Sequence, residues 1–379
     1  MKTIRLLAFL LPFVLLVSLV PISYADFESP VPSAILMEAS SGEILYEKNA
    51  DEMRHPASVT KVMTLLLVFE AIDSGKISWQ DNVTVSARAA SMGGSQVFLE
   101  VGEVMTVEDL VKSVVISSAN DAAVALGEYV SGSESAFVDQ MNQKAVALGM
   151  KNTHFDNTNG LDDTTETHLT TARDIALMSR ELITKHPDIF KYTTLWQDSI
   201  RNGAFVLTNT NKLIRFYNGA NGLKTGFTQK SGYCISATAA REGLQLIAVV
   251  MGAETSDQRN VAVKELFDYG FANYAVERVT PPEAIEYSLT GGKVTVGHAT
   301  GRGFSYVIEK SKKKPITCEY TLKENLSAPI LEGDCVGEIV YKAGDEVLAR
   351  EELIACETVD KMTFWDILVA AFRVYFMMD

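Results

Sequence analysis

The chain has 379 residues, 47% hydrophobic and 22% charged, with a formal net charge of -14. That content sustains a large core, and the length points to two domains. The acidic balance excludes a nucleic-acid binder and a purely electrostatic grip on anionic lipid, both of which need a basic face, so substrate recognition has to be local.

Residues 1–25 read as a signal peptide. Lys2 and Arg5 form the charged start, 6–20 the apolar run, and Ser23-Tyr24-Ala25 a small-x-small cleavage site ahead of Asp26. An uncleaved N-terminal anchor is the alternative, and either one exports the body through the Sec pathway to the outer face of the cytoplasmic membrane. Strands are predicted over 34–38 and 43–48, joined by a Ser40-Ser41-Gly42 turn. Pro56 and small residues then open a helix in which Val62, Leu65, Leu66, Phe69 and Ile72 recur at three-and-four spacing, ended by Gly75. Further helical patterns cover 107–116, 121–130, 134–148, 171–183 and 257–271. Apolar strands over 232–238 and 244–251 flank an Arg241-Glu242-Gly243 turn. Helices grouped between terminal strand pairs imply an α+β fold, an antiparallel sheet with a helical cluster, over residues 26–278.

Pro281-Pro282 marks a rigid linker. Short strands follow over 293–296, 304–308, 316–322, 337–341 and 346–349, a small all-β domain spanning 281–358. Residues 361–379 close the chain. In the run 363–378, Asp366 and Arg373 share one narrow stripe of a helix, with Phe364, Leu368, Ala371, Phe372 and Tyr375 opposite. The run is short for a bilayer crossing, which wants ~20 residues, so it reads as an amphipathic anchor on a membrane surface, or else a helix docked on the protein itself.

Of the four cysteines, Cys318, Cys335 and Cys356 lie late and Cys234 stands apart, leaving room for at most one disulfide, among the late three. The five histidines form no His-Glu-x-x-His pair, and no metal or cofactor is implied.

Three strings carry chemistry. In Ser58-Val-Thr-Lys61, residues three apart on a helix put a hydroxyl within reach of an amine. A cation in a first helical turn opposes the macrodipole, and a lysine can deprotonate serine only when neutral. A second cation nearby would help lower its pKa, and burial would supply the rest. The spacing alone is weak, since Ser311-Lys-Lys-Lys314 repeats it in a charged turn, and Ser58 could equally cap a helix. Ser118-Ala-Asn120 lies between two helical patterns, where the hydroxyl can relay a proton and the carboxamide can hold a peptide bond, or Asn120 can cap. Lys224-Thr225-Gly226-Phe227 precedes the strand at 232 and suits an edge strand where a substrate carboxylate meets a cation and a hydroxyl, or by itself an ordinary turn.

In this order the three strings resemble the signature of the serine penicillin-recognising enzymes. The chain is similar to the low-molecular-mass penicillin-binding proteins that are D-alanyl-D-alanine carboxypeptidases. The likeness covers the exported start, the catalytic domain, a small β domain and a terminal amphipathic helix, and includes Asn159-Gly-Leu161 and Thr171-Ala-Arg-Asp174. It implies that Ser58 attacks the penultimate D-alanine carbonyl of a peptidoglycan stem pentapeptide and that Lys61 takes its proton. Ser118 then relays a proton to the departing D-alanine, Asn120 holds the substrate amide, and Lys224 with Thr225 holds the terminal carboxylate. The resemblance places the oxyanion donors at the backbone N–H groups of Ser58 and of Phe227, after Gly226. β-Lactams would acylate Ser58 for longer, and no obligate protein partner is implied. Ala119 stands where many members have glycine, and Phe227 where some have histidine. The rival readings are a D,D-endopeptidase with the same chemistry and a class A-like β-lactamase, for which Glu166-Thr-His-Leu-Thr170 only partly imitates the deacylating element.

Overall fold

A computed structural model describes residues 28–162, 165–282 and 284–376. The stretch read as a signal peptide lies outside them. Strands β1 (Ser33–Glu38), β2 (Ile44–Lys48), β3 (Ala220–Thr228), β4 (Gly232–Arg241) and β5 (Leu244–Ala253) form one antiparallel sheet in the order β2-β1-β5-β4-β3. β1 is buried at every position because the sheet is covered on both faces. The two-residue period sends Ile35 and Met37 into one core and Ala34 and Leu36 into another.

The first core belongs to the helical cluster: α1 (Lys61–Asp73), α2 (Val107–Ser117), α3 (Asn120–Ser131), α4 (Glu134–Ala147) and α5 (Ala172–Lys185). α1 is apolar on nearly every side and buried from Lys61 to Phe69, as a helix enclosed by others must be. The second core lies under α6 (Ser256–Asn273), which contributes Leu266 and Phe267. Hydroxyl caps set four of these starts: Thr106, Ser133, Thr171 and Thr255 accept from Asp109 N, Ala136 N, Asp174 N and Gln258 N.

α6 runs into β6 (Tyr274–Val279), a strand the sequence reading lacked, which pairs with β9 (Phe304–Glu309). Beyond it β7 (Ile285–Ser288), β8 (Val296–Thr300), β10 (Ile316–Leu322), β11 (Cys335–Ala343) and β12 (Glu346–Ala355) make an antiparallel sheet, ordered β7-β8-β12-β11-β10, around Tyr287, Ile339, Tyr341 and Leu353. The strand expected over 293–296 instead begins at Val296, since Gly291 and Gly292 hold the preceding chain in an irregular turn. The late disulfide left open by the sequence does not form: Cys318, Cys335 and Cys356 are all free thiols. α7 (Phe364–Phe376) ends the described chain, with Phe364, Trp365, Ile367 and Val369 each more than half exposed.

Candidate active site

Ser58 sits not in a helix but in the 3-10 turn Ala57–Thr60, and α1 begins at Lys61 itself. The turn starts from strain: Ala57 has φ +48, a left-handed value unusual for a residue with a Cβ. Neither Ser58 nor Thr60 caps α1 through its side chain, so the capping role open to Ser58 from sequence is not used. Two glycines allow other chain segments to close on the turn. A Cβ on Gly226 would lie 2.8 Å from Pro56 O and 3.0 Å from Ser58 N, and one on Gly160 would lie 1.8 Å from Ala57 O. β3, the edge strand expected for Lys-Thr-Gly, therefore runs directly against the backbone of the Ala57–Thr60 turn.

Lys61 is fully buried, with its Nζ 2.9 Å from Ser58 Oγ, 2.6 Å from Asn120 Oδ1 and 3.0 Å from Asn159 O. Burial is the larger cause that holds its pKa well below the ordinary lysine value, and the Lys224 ammonium is the second; Asp121 opposes them. A neutral amine has two N–H groups and one lone pair. The Asn120 and Asn159 oxygens accept the two hydrogens, which leaves the lone pair to accept the Ser58 O–H. The arrangement thus favours the protonation state in which Lys61 is a base.

Asn120 opens α3, but the N-cap is Ala119 and the Asn120 carboxamide does not cap. It joins Lys61 to the 93–99 loop instead, its Nδ2 donating to Gly93 O at 2.7 Å while its backbone N–H donates to Ser95 O at 2.7 Å. The same loop is fastened by buried Asp121, whose carboxylate accepts from Val97 N and Leu99 N at 3.1 and 3.0 Å. Ser118 caps α2 in the left-handed region, φ +62, and is 4% exposed. Its hydroxyl makes no hydrogen bond to the described residues, so the structure brings it to the junction beside Asn120 without a direct link to Lys61.

Lys224 is buried too, and its Nζ donates to Thr225 O at 2.9 Å. Burial first, and the Arg259 guanidinium second, pull its pKa down to about 7. Thr225 Oγ1 donates to Thr210 Oγ1 at 2.8 Å. Phe227 is half exposed and stacks on Tyr233 with ring centroids 4.3 Å apart.

Several neighbours carried no assigned role in the sequence. Asn159, which the sequence offered only within the Asn159-Gly-Leu161 likeness, touches the site through its main-chain carbonyl, and Thr210 touches it through a hydroxyl. His168 is fully buried, accepts Asp156 N–H on Nδ1 at 3.0 Å, and donates from Nε2 to Thr60 Oγ1 at 2.8 Å, bracing the turn that carries Ser58. Glu166, the lookalike of a deacylating carboxylate, is exposed and paired with Lys230 at 2.7 Å. Burial pushes the Cys234 thiol up to about 11, which makes it inert. Among the described residues no cluster of metal-ligating side chains occurs.

The profile of the D-alanyl-D-alanine carboxypeptidase family matches residues 24–255, and that of the penicillin-binding protein 5 C-terminal domain matches 285–361. D-alanyl-D-alanine carboxypeptidase DacF of Bacillus subtilis is 40% identical over 95% of this chain and 96% of its own. Penicillin-binding protein 5 of Haemophilus influenzae superposes with a TM-score of 0.72 at 31% identity, covering 89% of this chain and all of that one. Penicillin-binding protein D2 of Listeria monocytogenes, solved in its ampicillin-bound form, matches 65% of this chain and all of its own at 33% identity and a TM-score of 0.60. With two buried lysines around one serine and relatives matched along nearly their whole length, the chain belongs to the D-alanyl-D-alanine carboxypeptidase family, serine peptidases among the low-molecular-mass penicillin-binding proteins.

Proposed function

We propose that this serine D-Ala-D-Ala carboxypeptidase trims the terminal D-alanine from peptidoglycan stem pentapeptides through an acyl-enzyme on Ser58. The observation that carries the assignment is the 2.9 Å contact between Ser58 Oγ and a buried Lys61 Nζ that has no carboxylate among its hydrogen-bond partners. Neutral Lys61 takes the serine proton as Oγ attacks the carbonyl carbon. The backbone N–H groups of Ser58 and Phe227 receive the oxyanion. Asn120 holds the substrate amide, and Lys224 and Thr225 hold the terminal carboxylate. The Lys61 proton passes through Ser118 to the departing D-alanine nitrogen. Water then hydrolyses the ester. β-Lactams present the same carbonyl and carboxylate and acylate Ser58, and the ampicillin-bound relative supports that extension.

The body is exported and held on the outer membrane face by α7, a reading supported by the exposed Phe364, Trp365, Ile367 and Val369. Among the described residues no helix is long and apolar enough to cross a membrane.

Intact-mass measurement after benzylpenicillin tests the core of this reading, together with D-alanine release from an acylated D-Ala-D-Ala peptide. Wild type should gain one penicilloyl mass and release D-alanine, and Ser58→Ala should do neither. An adduct that persists on the alanine variant would move the nucleophile elsewhere.

A further inference from the structure

The short segment 157–162 touches the site at three points. Asn159 O lies 3.0 Å from Lys61 Nζ, and Gly160 packs on Ala57 O. The third point is Asp162, 2% exposed, whose Oδ2 accepts the Thr228 hydroxyl at 2.6 Å. Thr228 is the last residue of β3 and follows Phe227. A carboxylate only accepts, so the one hydroxyl proton of Thr228 is committed to Asp162, and the hydroxyl oxygen is left to accept Ser231 N–H at 3.0 Å. The Thr228 N–H donates in turn to Ser231 Oγ at 2.9 Å, and Lys230 Nζ, paired with Glu166, donates to Asp162 O at 3.0 Å. The end of β3 is thereby pinned to the segment that orients Lys61.

The direction of the Phe227 N–H follows from the same bonds. Successive N–H groups of a strand point to opposite sides in the plane of the sheet. The Thr228 N–H points to Ser231, the residue that leads into β4, so the Phe227 N–H points away from β4, where the sheet order ends with β3. Gly226, one residue back, lies against Ser58 N.

Resting on the reading of Ser58 as the acylated residue and of the Phe227 N–H as an oxyanion donor, we propose that Asp162 is a positioning residue for the oxyanion. By holding Thr228 it sets the direction of the Phe227 N–H. Asp162 touches no reacting atom and no proton passes through it. Its effect is felt where charge develops on the carbonyl oxygen, because a donor aimed in advance needs no reorganisation at that moment. One segment then sets two parts of the machinery, the base through Asn159 O and the oxyanion donor through Asp162.

The test is infrared spectroscopy of the full exported chain acylated by benzylpenicillin that is isotopically labelled at the β-lactam carbonyl. Hydrogen bonds to a carbonyl oxygen weaken the C=O bond and lower its stretching frequency. The wild-type ester should therefore absorb below the same adduct unfolded in urea. Thr228→Val, which keeps the shape and removes the hydroxyl, and Asp162→Ala should both move the band up. Both should also lower kcat for D-alanine release about tenfold or more, part of the roughly 10²–10³ that a lost oxyanion donor costs, with KM little changed. Thr228→Ser, which keeps the hydroxyl, should restore band and rate. A band that stays at the wild-type frequency in Thr228→Val overturns the proposal, whatever happens to activity, and that variant decides the matter if Asp162→Ala does not fold. Failure of the wild type to form any adduct would instead overturn the assignment of Ser58, and a wild-type band no lower than that of the unfolded adduct would overturn the Phe227 N–H as a donor.

Discussion

His168 gives a quantitative test of how the turn that carries Ser58 is held. Its Nδ1 accepts a backbone N–H from Asp156, so the ring proton resides on Nε2 and is donated to Thr60 Oγ1, two residues from Ser58. A second proton would have to displace the Asp156 N–H inside a fully buried site. Burial pulls the His168 pKa from 6.5 down to about 4, helped by the charges of His55 and His154 and opposed by the Asp156 and Asp162 carboxylates. A downward shift of about 2.5 units corresponds to about 3 kcal/mol at 1.36 kcal/mol per unit. The folded-state pKa of this base is depressed, so below pH 6.5 the unfolded chain binds a proton that the folded chain refuses. The stabilisation is intact above 6.5 and drains away as pH falls towards 4. Replacement by a non-titrating side chain, His168→Gln, removes that dependence. Urea unfolding of both proteins should show the wild type losing about 3 kcal/mol relative to the variant between pH 6.5 and 4. Imidazole nitrogen NMR of the folded wild type should report the Nε2–H tautomer and a midpoint near 4. A midpoint at the ordinary histidine value, or a stability difference flat with pH, would refute the argument.

Lys224→Gln should raise the pKa of Lys61, because the Lys224 ammonium is the second cause, after burial, of its low value. On the proposed reading Lys61 acts when neutral, so the acid limb of the acylation rate at saturating penicillin should move to higher pH; a limb that stays in place would remove Lys224 from the electrostatics. The comparison belongs below pH 7, where Lys224, itself pulled down to about 7, still carries charge. Ending the chain at Met362 should abolish co-sedimentation with zwitterionic lipid vesicles. Burying each of Phe364, Trp365, Ile367 and Val369 contributes about 1.5–3 kcal/mol, while a chain of net charge -14 gains little from anionic lipid. Binding should therefore resist salt, and a requirement for anionic lipid with release by salt would contradict the apolar anchor.

Much of the site was legible because its chemistry resides in rare side-chain combinations. Ser58, Lys61, Asn120 and Lys224 each stand in a recognisable string, and the helical patterns over 107–116, 121–130, 134–148, 171–183 and 257–271 lie on α2 to α6. The roles were less legible than the residues. From sequence Ser58 and Asn120 were each equally plausible as helix caps, and only the start of α1 at Lys61 and the Ala119 N-cap release both from that duty. Asn159 orients Lys61 through a carbonyl that every residue possesses. His168 is one of five histidines, and nothing in its local pattern says that its partner is Thr60, 108 positions away. β6 was missed because Glu277-Arg278 interrupts its alternation and its partner, β9, lies beyond the prolines.

Burial makes the uncharged amine the favoured state of Lys61, the state in which it could serve as a base. Charged, Lys61 would be a desolvated cation near a second one, with three oxygens around it and no carboxylate among its hydrogen-bond partners. Neutral, it satisfies two carbonyl acceptors and directs its lone pair at Ser58. The fold therefore buries two lysines and still lets backbone approach Ser58 closely. Gly160 and Gly226 provide that approach, and the left-handed Ala57 and Ser118 are the strained positions that result. Such strain persists only where the surroundings over-determine it. Here the surroundings are α1 buried from Lys61 to Phe69, α2 and α3 meeting at Ser118, and the edge strand β3 with Gly226 against the Ser58 turn. The contact between Ser58 and Lys61 is thus a consequence of where the helices end as much as of the residues that line them.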